Sequence, residues 1–511
     1  MTSFAEHLRA GYEFDARSLT LGAALHEGQP HPAPQVRVPL AMLNRHGLVA
    51  GATGTGKTRT LQLLAEQCSA AGIPVFAADV KGDLGGIARP GVGSPKLTER
   101  AGTIGWTWTP AGSPVEFVSL SGTLGAQLRA TVSSFGPLLL AKVLDLNDTQ
   151  TSVLTLVFRY CDDAGLPLLD FKDLRAVLQH LTSDEGKADI ERVGGVSRPT
   201  LGVLLRKLVE LEAQGAERFF GEPEFDVRDL LHVTAEGKGV VTCLELADVQ
   251  DRPRLYSTFL MWLLAELYQA LPEVGDLEQP KLVFYFDEAH LLFNDAPKPF
   301  LEQVEQVVRL VRSKGVGVFF VTQTPKDVPA SVLGQLGNRV QHALRAHTPD
   351  DDAAIRATVR TFPKTTFYDL GETLTTLGIG EAIVTVLDPR GVPTPVVATR
   401  LGPPASRMAP LTAEEMAREL AESDLAKEYG QAMDRESAYE MLSRRMERAE
   451  APPVPAPERE EPRRGGAGKT IAAATAGALA GAFGRTIGRE VVRGLFGLLG
   501  AKPPRSTRRR R

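Results

Sequence analysis

The chain has 511 residues, 43% hydrophobic and 23% charged, with a formal net charge of −4, which is enough for two or more compact units around sizeable cores. Cys68, Cys161 and Cys243 are far apart and lack C-x-x-C spacing, so neither a disulfide framework nor a cysteine metal site has support, and a reducing compartment is expected. The first residues show no basic region followed by an apolar run, and nowhere do eighteen apolar residues run uninterrupted, which excludes a secretory leader and an obvious membrane span and predicts a cytoplasmic location. The charge is unevenly spread: from Arg463 to Arg511, twelve Lys/Arg face one acid, Glu490, leaving about −15 for the rest.

Taken in order, residues 1–36 read as a short arm or edge strand, with a Pro-rich piece around Gln29–Gln35. Next, Leu48-Val49-Ala50 predicts a buried strand, followed by Gly51-Ala52-Thr53-Gly54-Thr55-Gly56-Lys57-Thr58, which has the spacing G-x-x-x-x-G-K-[ST]. Glycines let backbone N–H groups curl around a polyphosphate where side chains would collide. Lys57 would then reach the phosphates and the Thr58 hydroxyl would ligate Mg²⁺. Leu61, Leu64, Ala65 and Cys68 repeat at i, i+3, i+4 and i+7, so a helix follows, its N-terminus aimed at the anion. Strand, glycine loop and helix in that order make the match specific.

Further β-rich runs fall at Ile73–Asp79, Val115–Leu120, Gly239–Leu246, Leu282–Phe286, Val316–Thr322, Val340–Ala343 and Ala382–Leu387, many separated by helical patterns. The expected fold class is therefore α/β, with a mostly parallel, helix-flanked sheet. Between Ser121 and Gly237 the strand pattern fades, and Leu124–Leu144, Thr149–Cys161, Phe171–Leu181 and Thr200–Ala213 look helical. The expected organisation is a core in two parts, 37–120 and 238–405, around a helical insertion, 121–237. A charged helical segment, 406–450, read as one helix over roughly Thr412–Ala449, a linker of disordered composition, 451–468, and a basic tail, 469–511, follow. No internal repeat is evident.

The strand Leu282–Phe286 ends in Asp287-Glu288, which suits the far wall of a nucleotide site: Asp287 to hold Mg²⁺ and Glu288 to polarise the attacking water. The bland alternative is a buried strand ending in solvated acids. Asp287-Glu288-Ala289-His290 spells a superfamily 2 helicase string, but the S-A-T and Q-x-x-G-R-x-G-R motifs of that superfamily are absent, and His290 is read as a supporting residue. An amphipathic helix over Phe300–Ser313 leads to a strand ending in Thr322-Gln323-Thr324, where Gln323 is placed to sense nucleotide or orient water. No N-K-x-D motif favours guanine, so ATP is the expected nucleotide; no L-S-G-G-Q signature supports a transporter.

As a set, Arg45-His46, Gly51–Thr58, Phe286–His290, Arg312-Ser313-Lys314-Gly315, Val321–Pro325 and Asn338-Arg339-Val340 resemble the HerA/FtsK-type motor ATPases of the RecA-like fold. Asp79–Leu84, Leu146–Gln150 and Asp434–Glu440 resemble the YjgR-type bacterial branch of that group, and the resemblance covers about Arg37 to Arg445. It implies a RecA-like P-loop core that uses ATP and Mg²⁺, DNA as partner and a homo-oligomeric ring, usually a hexamer. It also implies that Arg312 is an arginine finger acting on a neighbour's nucleotide, with Arg309 and Arg339 in reserve; the alternative for Arg312 is a solvated helix-end cation favoured by the dipole. HerA proper carries an N-terminal β-barrel that helps engage a nuclease, for which the residues before this core are too few, so an end-resection role is not carried over. Lys81, Lys142 and Lys326 are candidate DNA contacts and as easily surface lysines.

In the tail, Arg485, Arg489 and Arg493 share one helical face and Phe483, Ile487, Val491, Leu495 and Leu498 lie mostly on the other, a pattern for an anionic membrane, DNA or a protein partner, or simply a solvated tail. Gly466–Thr470 imitates a phosphate loop without the preceding strand. Two other functions remain open at this stage: a type IV secretion-like motor at the membrane, and a nucleotide-gated scaffold with little turnover.

Overall fold

The computed structural model describes residues 3–450 except 193–194, 251, 294–297 and 347. Both tail expectations, the linker and the basic amphipathic helix, lie outside the described residues. Among them, twelve strands build one sheet: β1 (Ser18–His26), β2 (Gln29–Pro39), β3 (Gly47–Ala50), β4 (Val75–Asp79), β5 (Val115–Ser119), β6 (Ala126–Gln127), β7 (Val241–Glu245), β8 (Leu282–Phe286), β9 (Val316–Thr322), β10 (Asn338–His342), β11 (Glu381–Thr385) and β12 (Val397–Leu401). Their order is β2-β1-β12-β11-β10-β3-β9-β8-β4-β7-β5-β6. From β10 to β6 every pairing is parallel, and from β10 to β2 every pairing is antiparallel.

The parallel block is the predicted α/β core. Its central strands β3, β4, β7, β8 and β9 are buried along their whole length, as parallel strands covered on both faces must be. One face packs Phe76, Phe284, Phe286 and Phe320 against helices Pro253–Ala270 and Lys298–Val311 and into the same apolar core as the helices of residues 132–212. The other face carries helices Phe4–Tyr12 and Lys57–Ala70, with Leu61, Leu64 and Cys68 turned into the sheet.

The antiparallel wing was less visible. The N-terminal residues, expected as a short irregular arm or edge strand, form helix Phe4–Tyr12 and then the hairpin β1–β2. Glu27 and Gly28 both have positive φ, 49° and 76°, between the paired residues His26 and Gln29, which is the two-residue turn that matches strand twist. The prolines of β2 are tolerated because β2 is the outermost strand.

Two helical expectations are corrected. Leu124–Leu144 is not one helix: Ala126–Gln127 pairs with β5, and the helix runs only over Val132–Val143, with Gly136 at φ 76° before Pro137. The charged segment is three helices, Ala413–Glu422, Asp424–Tyr429 and Ala438–Glu450, restarted at Ser423, whose hydroxyl caps the second. Helix Ala438–Glu450 packs along Phe171–Thr182, and the buried Asp173 carboxylate accepts from the Ser437 hydroxyl and the Tyr439 N–H.

At the N-terminal end of β3, His46 is buried and its Nδ1 accepts the Val318 N–H at 3.1 Å. Burial, aided by Arg312 and Arg45, pushes its pKa down to about 4. The unfolded chain therefore takes up a proton near pH 6.5 that the folded chain refuses until about pH 4, so this contribution to stability is present above pH 6.5 and lost as pH falls from there. Urea unfolding at pH 7.5 and pH 5 is expected to show His46→Asn losing about 2 kcal/mol less than the wild type between the two conditions.

Candidate active site

Parallel strands share a C-terminal edge, and the predicted nucleotide residues converge there. Ala50 of β3 is in register with Thr322 of β9, and β9 lies between β3 and β8. The Gly51 N–H donates to the carbonyls of Thr322 and Gln323, both at 3.2 Å, which binds the glycine loop to the end of β9. Gly51 cannot be larger, since a Cβ there would lie 2.4 Å from Cβ of His342. Gly56 has φ 113°, and a Cβ there would lie 3.3 Å from the Gly380 nitrogen, so the loop is wedged between β9 and the turn before β11. The Gly380 N–H donates to the Thr55 carbonyl at 3.0 Å, and Arg100 donates to the carbonyls of Ile379 and Gly380 at 3.0 and 2.9 Å.

Lys57 opens the helix Lys57–Ala70 and its Nζ donates inward, to the carbonyls of Gly51 at 2.7 Å and Ala52 at 3.2 Å. Thr53 and Gly54 are exposed at the loop tip and Thr58 is half-buried. Beneath them His342 Nε2 pairs with the Thr60 hydroxyl at 2.8 Å.

Asp287 and Glu288 follow β8 and are both 4% exposed. Burial, with Glu288, Asp79 and Asp83 nearby, raises the Asp287 carboxyl to about 7. Burial alone would raise Glu288 too, but the Lys81 ammonium, ion-paired with its Oε1, holds it below the usual range. Glu288 has φ 45°, a left-handed conformation unusual for its type. Its Oε2 is buried without a hydrogen bond, and His290 Nδ1 lies 3.2 Å away but off the line of one.

Gln323 is exposed at the end of β9, its neighbours fixed by Asp327, which accepts from the Thr322 hydroxyl at 2.6 Å and the Thr324 N–H at 2.9 Å. Arg312 is not brought into this group. It is exposed beside Arg45 and Asp276 at the start of β9, the opposite edge of the sheet. Of the reserve candidates, Arg309 pairs with Glu305 at 3.1 Å, while Arg339 donates to the Thr361 carbonyl at 2.8 Å. Among the candidate DNA contacts, Lys142 donates to Gln303 at 2.9 Å, and Lys81 belongs to the carboxylate site.

Sequence reasoning missed Asp79, Lys81 and His342 as parts of the site. The string Asp79-Val80-Lys81-Gly82 ends β4, the strand next to β8, so a strand order would have placed it beside Glu288. His342 sits in β10, whose parallel pairing with β3 no local pattern reveals.

The residues fit a Mg²⁺-nucleotide. Gly51 and Gly56 let the loop pack against His342 and Gly380 where a Cβ would collide or crowd, a lysine and a hydroxyl stand at the helix start, and a buried carboxylate of raised pKa, Asp287, has no ion pair among the described residues. Lys57 would hold phosphate, and Thr58 and Asp287 would hold the cation; bound, that group supplies the scissile phosphoanhydride and the charge that neutralises Asp287. Among the described residues no three His, Cys, Asp or Glu side chains could hold a metal by themselves, and no helix is long and apolar enough to cross a membrane.

The fold and this site define a P-loop nucleotide-binding protein with a RecA-like core. The family model for the helicase HerA-like C-terminal region matches residues 25–504, and the chain belongs to that family. The DNA double-strand break repair helicase HerA of Sulfolobus acidocaldarius is 22% identical over 357 residues, an alignment that takes in 68% of this chain and 64% of that protein, just under two thirds of its length. Two solved structures align over most of their length: the bacterial conjugative coupling protein TrwB in an unbound form, at TM-score 0.48 and 15% identity over 77% of this chain and 96% of that one, and VirB4 of Thermoanaerobacter pseudethanolicus, at 0.49 and 15% over 79% and 99%. At TM-scores below 0.5 neither likeness carries weight for function.

Gly51→Ala is expected to lower unfolding free energy in urea by about 1–3 kcal/mol through overpacking against His342 and to abolish binding of a fluorescent adenine nucleotide.

Proposed function

We propose that this chain is an ATP-hydrolysing motor, a DNA translocase or helicase-like ATPase that works as a ring of identical subunits. The observation that carries the reading is the convergence, at one sheet edge, of the Lys57 loop after β3 and the Asp287-Glu288 pair after β8, with β9 and Gln323 between them. Lys57 and the loop N–H groups bind and orient the phosphates. Asp287 accepts the cation's charge. Glu288, the carboxylate of the pair whose pKa is lowered, orients a water and takes its proton once freed of its counterion, and Gln323 is exposed where it can contact that water or report on the nucleotide.

Arg312 adds the argument for a ring. The seven residues of β9 separate it from Gln323, a rise of roughly 20 Å, so it cannot serve the site of its own subunit. A second copy that sets its β9-start edge against this C-terminal edge would bring an exposed guanidinium to the nucleotide, a head-to-tail contact that closes into a ring. DNA as cargo is supported by membership of a family of HerA-like helicases and by the name of the relative in Sulfolobus acidocaldarius.

Steady-state ATP hydrolysis with and without double-stranded DNA tests the reading. Turnover stimulated by DNA and abolished in Lys57→Ala is expected, with Glu288→Gln slowed at least roughly a hundredfold at unchanged nucleotide affinity. Turnover indifferent to DNA would redirect the search to protein cargo, and absent turnover with normal ATP affinity would make the chain a nucleotide-gated scaffold. Arg312→Ala in the assembled oligomer is expected to cut turnover at least roughly a hundredfold while leaving nucleotide binding intact.

A further inference from the structure

The Glu288 carboxylate is not free to act in the conformation observed. Its Oε1 is ion-paired with Lys81 Nζ, which comes from the turn after β4, the strand beside β8. That turn is rigidly set. Asp79 Oδ1 accepts the N–H groups of Lys81 at 3.1 Å and Gly82 at 2.8 Å, its Oδ2 accepts that of Leu84 at 2.7 Å, and Gln250 grips the Val80 carbonyl from the segment after β7. Glu288 itself stands in a left-handed backbone conformation, which persists only where surrounding contacts over-determine it. The two partners are unequal. The Glu288 side chain is 5% exposed and cannot leave, whereas that of Lys81 is 48% exposed and can swing into solvent without opening the core.

We propose that Lys81 is a positioning residue that restrains Glu288, and that turnover requires this ion pair to open so that the carboxylate can hold a water instead. The proposal rests on Glu288 being the residue that activates water. It makes the turn Lys81-Gly82-Asp83-Leu84 a control element: whatever displaces it, through Asp79 below or Gln250 beside it, releases the carboxylate. While Lys81 occupies Oε1, the one oxygen of Glu288 without a hydrogen bond is Oε2, buried against His290.

The test uses Lys81→Met and Lys81→Gln in the full chain, read by turnover and by unfolding. Without DNA, both variants are expected to hydrolyse ATP several-fold faster than the wild type, with the DNA-stimulated rate little changed, so that the stimulation ratio collapses; structural damage alone does not raise a rate. Independently of activity, a double-mutant cycle of Lys81→Met with Glu288→Gln is expected to shift the unfolding midpoint non-additively without ligands and additively with Mg²⁺, a non-hydrolysable ATP analogue and double-stranded DNA together. Lys81 variants that fall to the Glu288→Gln rate would show the lysine to support the base, and an additive cycle without nucleotide would show the pair uncoupled; either result overturns the proposal. Glu288→Gln alone separates the two readings. If it leaves turnover intact, the assignment of Glu288 falls and the proposal with it; if it abolishes turnover while Lys81→Met is silent, the proposal alone falls.

Discussion

Everything at the working edge of this sheet follows from burying carboxylates where parallel strands end. Asp79 and Glu245 end β4 and β7, Asp287 and Glu288 directly follow β8, the three strands are adjacent, and each carboxylate is less than 5% exposed. Removing such groups from water is costly unless each finds hydrogen bonds or a countercharge. The chain answers differently for each. Asp79 receives three backbone N–H groups and spends them on shaping a turn. Glu288 receives a lysine, which holds it below the usual carboxylate range. Among the described residues Asp287 receives only the N–H of Glu288, at 2.9 Å, and Glu245, raised to about 8 by burial and by Asp79, leaves its Oε1 without a partner. The edge is electrostatically incomplete at Asp287, the side that faces β9 and the phosphate loop, and complete at Asp79, the side that only needs to be rigid.

The antiparallel wing, which looks like decoration on a parallel core, braces the glycine loop. β10 brings His342 under Gly51 and onto Thr60, and the turn before β11 brings Gly380 against Gly56 and Thr55. Arg400 of β12 pairs with Glu381 of β11 at 3.0 Å, and the chain beyond β12 returns to the phosphate-loop helix, where Glu66 accepts the N–H groups of Ala405 at 2.7 Å and Ser406 at 3.1 Å. The loop is thus gripped by β9 on one side and by the wing on the other, and displacing it requires moving both.

The parallel core was legible because fully buried strands are short, continuous apolar runs: all eight predicted strands form, as β3, β4, β5, β7, β8, β9, β10 and β11. The nucleotide loop was legible because its glycines answer to backbone geometry that no other residue meets. What was lost were elements whose identity is set by neighbours. Pro30, Pro32 and Pro34 hide β2, which exists because an edge strand need not donate on its open side. Ala126-Gln127 has no β character of its own and is a strand only because β5 presents an unpaired edge. The charged C-terminal helix looked continuous by composition, yet Ser423 restarts it so that Tyr429 can reach the Asp229 carboxylate and Arg435 can pair with Glu222 on the helical region. Lys81 was equally opaque, since no spacing rule links a lysine to a glutamate 207 residues away.

The two lysines of the site obey one rule. Lys57 donates to two loop carbonyls, and Lys81 to a carboxylate oxygen, so both ammonium groups already have oxygen partners supplied by the protein. A phosphate oxygen presented to Lys57 replaces one oxygen with another and adds the attraction of a full charge, so the exchange needs no newly desolvated cation. For Lys81 the same exchange is not neutral, because releasing it leaves the Glu288 carboxylate buried beside Asp287 without its counterion. That penalty falls when further positive charge is placed at Asp287. Under the restraint proposed for Lys81, occupation of the loop lowers the cost of releasing Glu288 without completing it, and displacement of the turn after β4 supplies the rest.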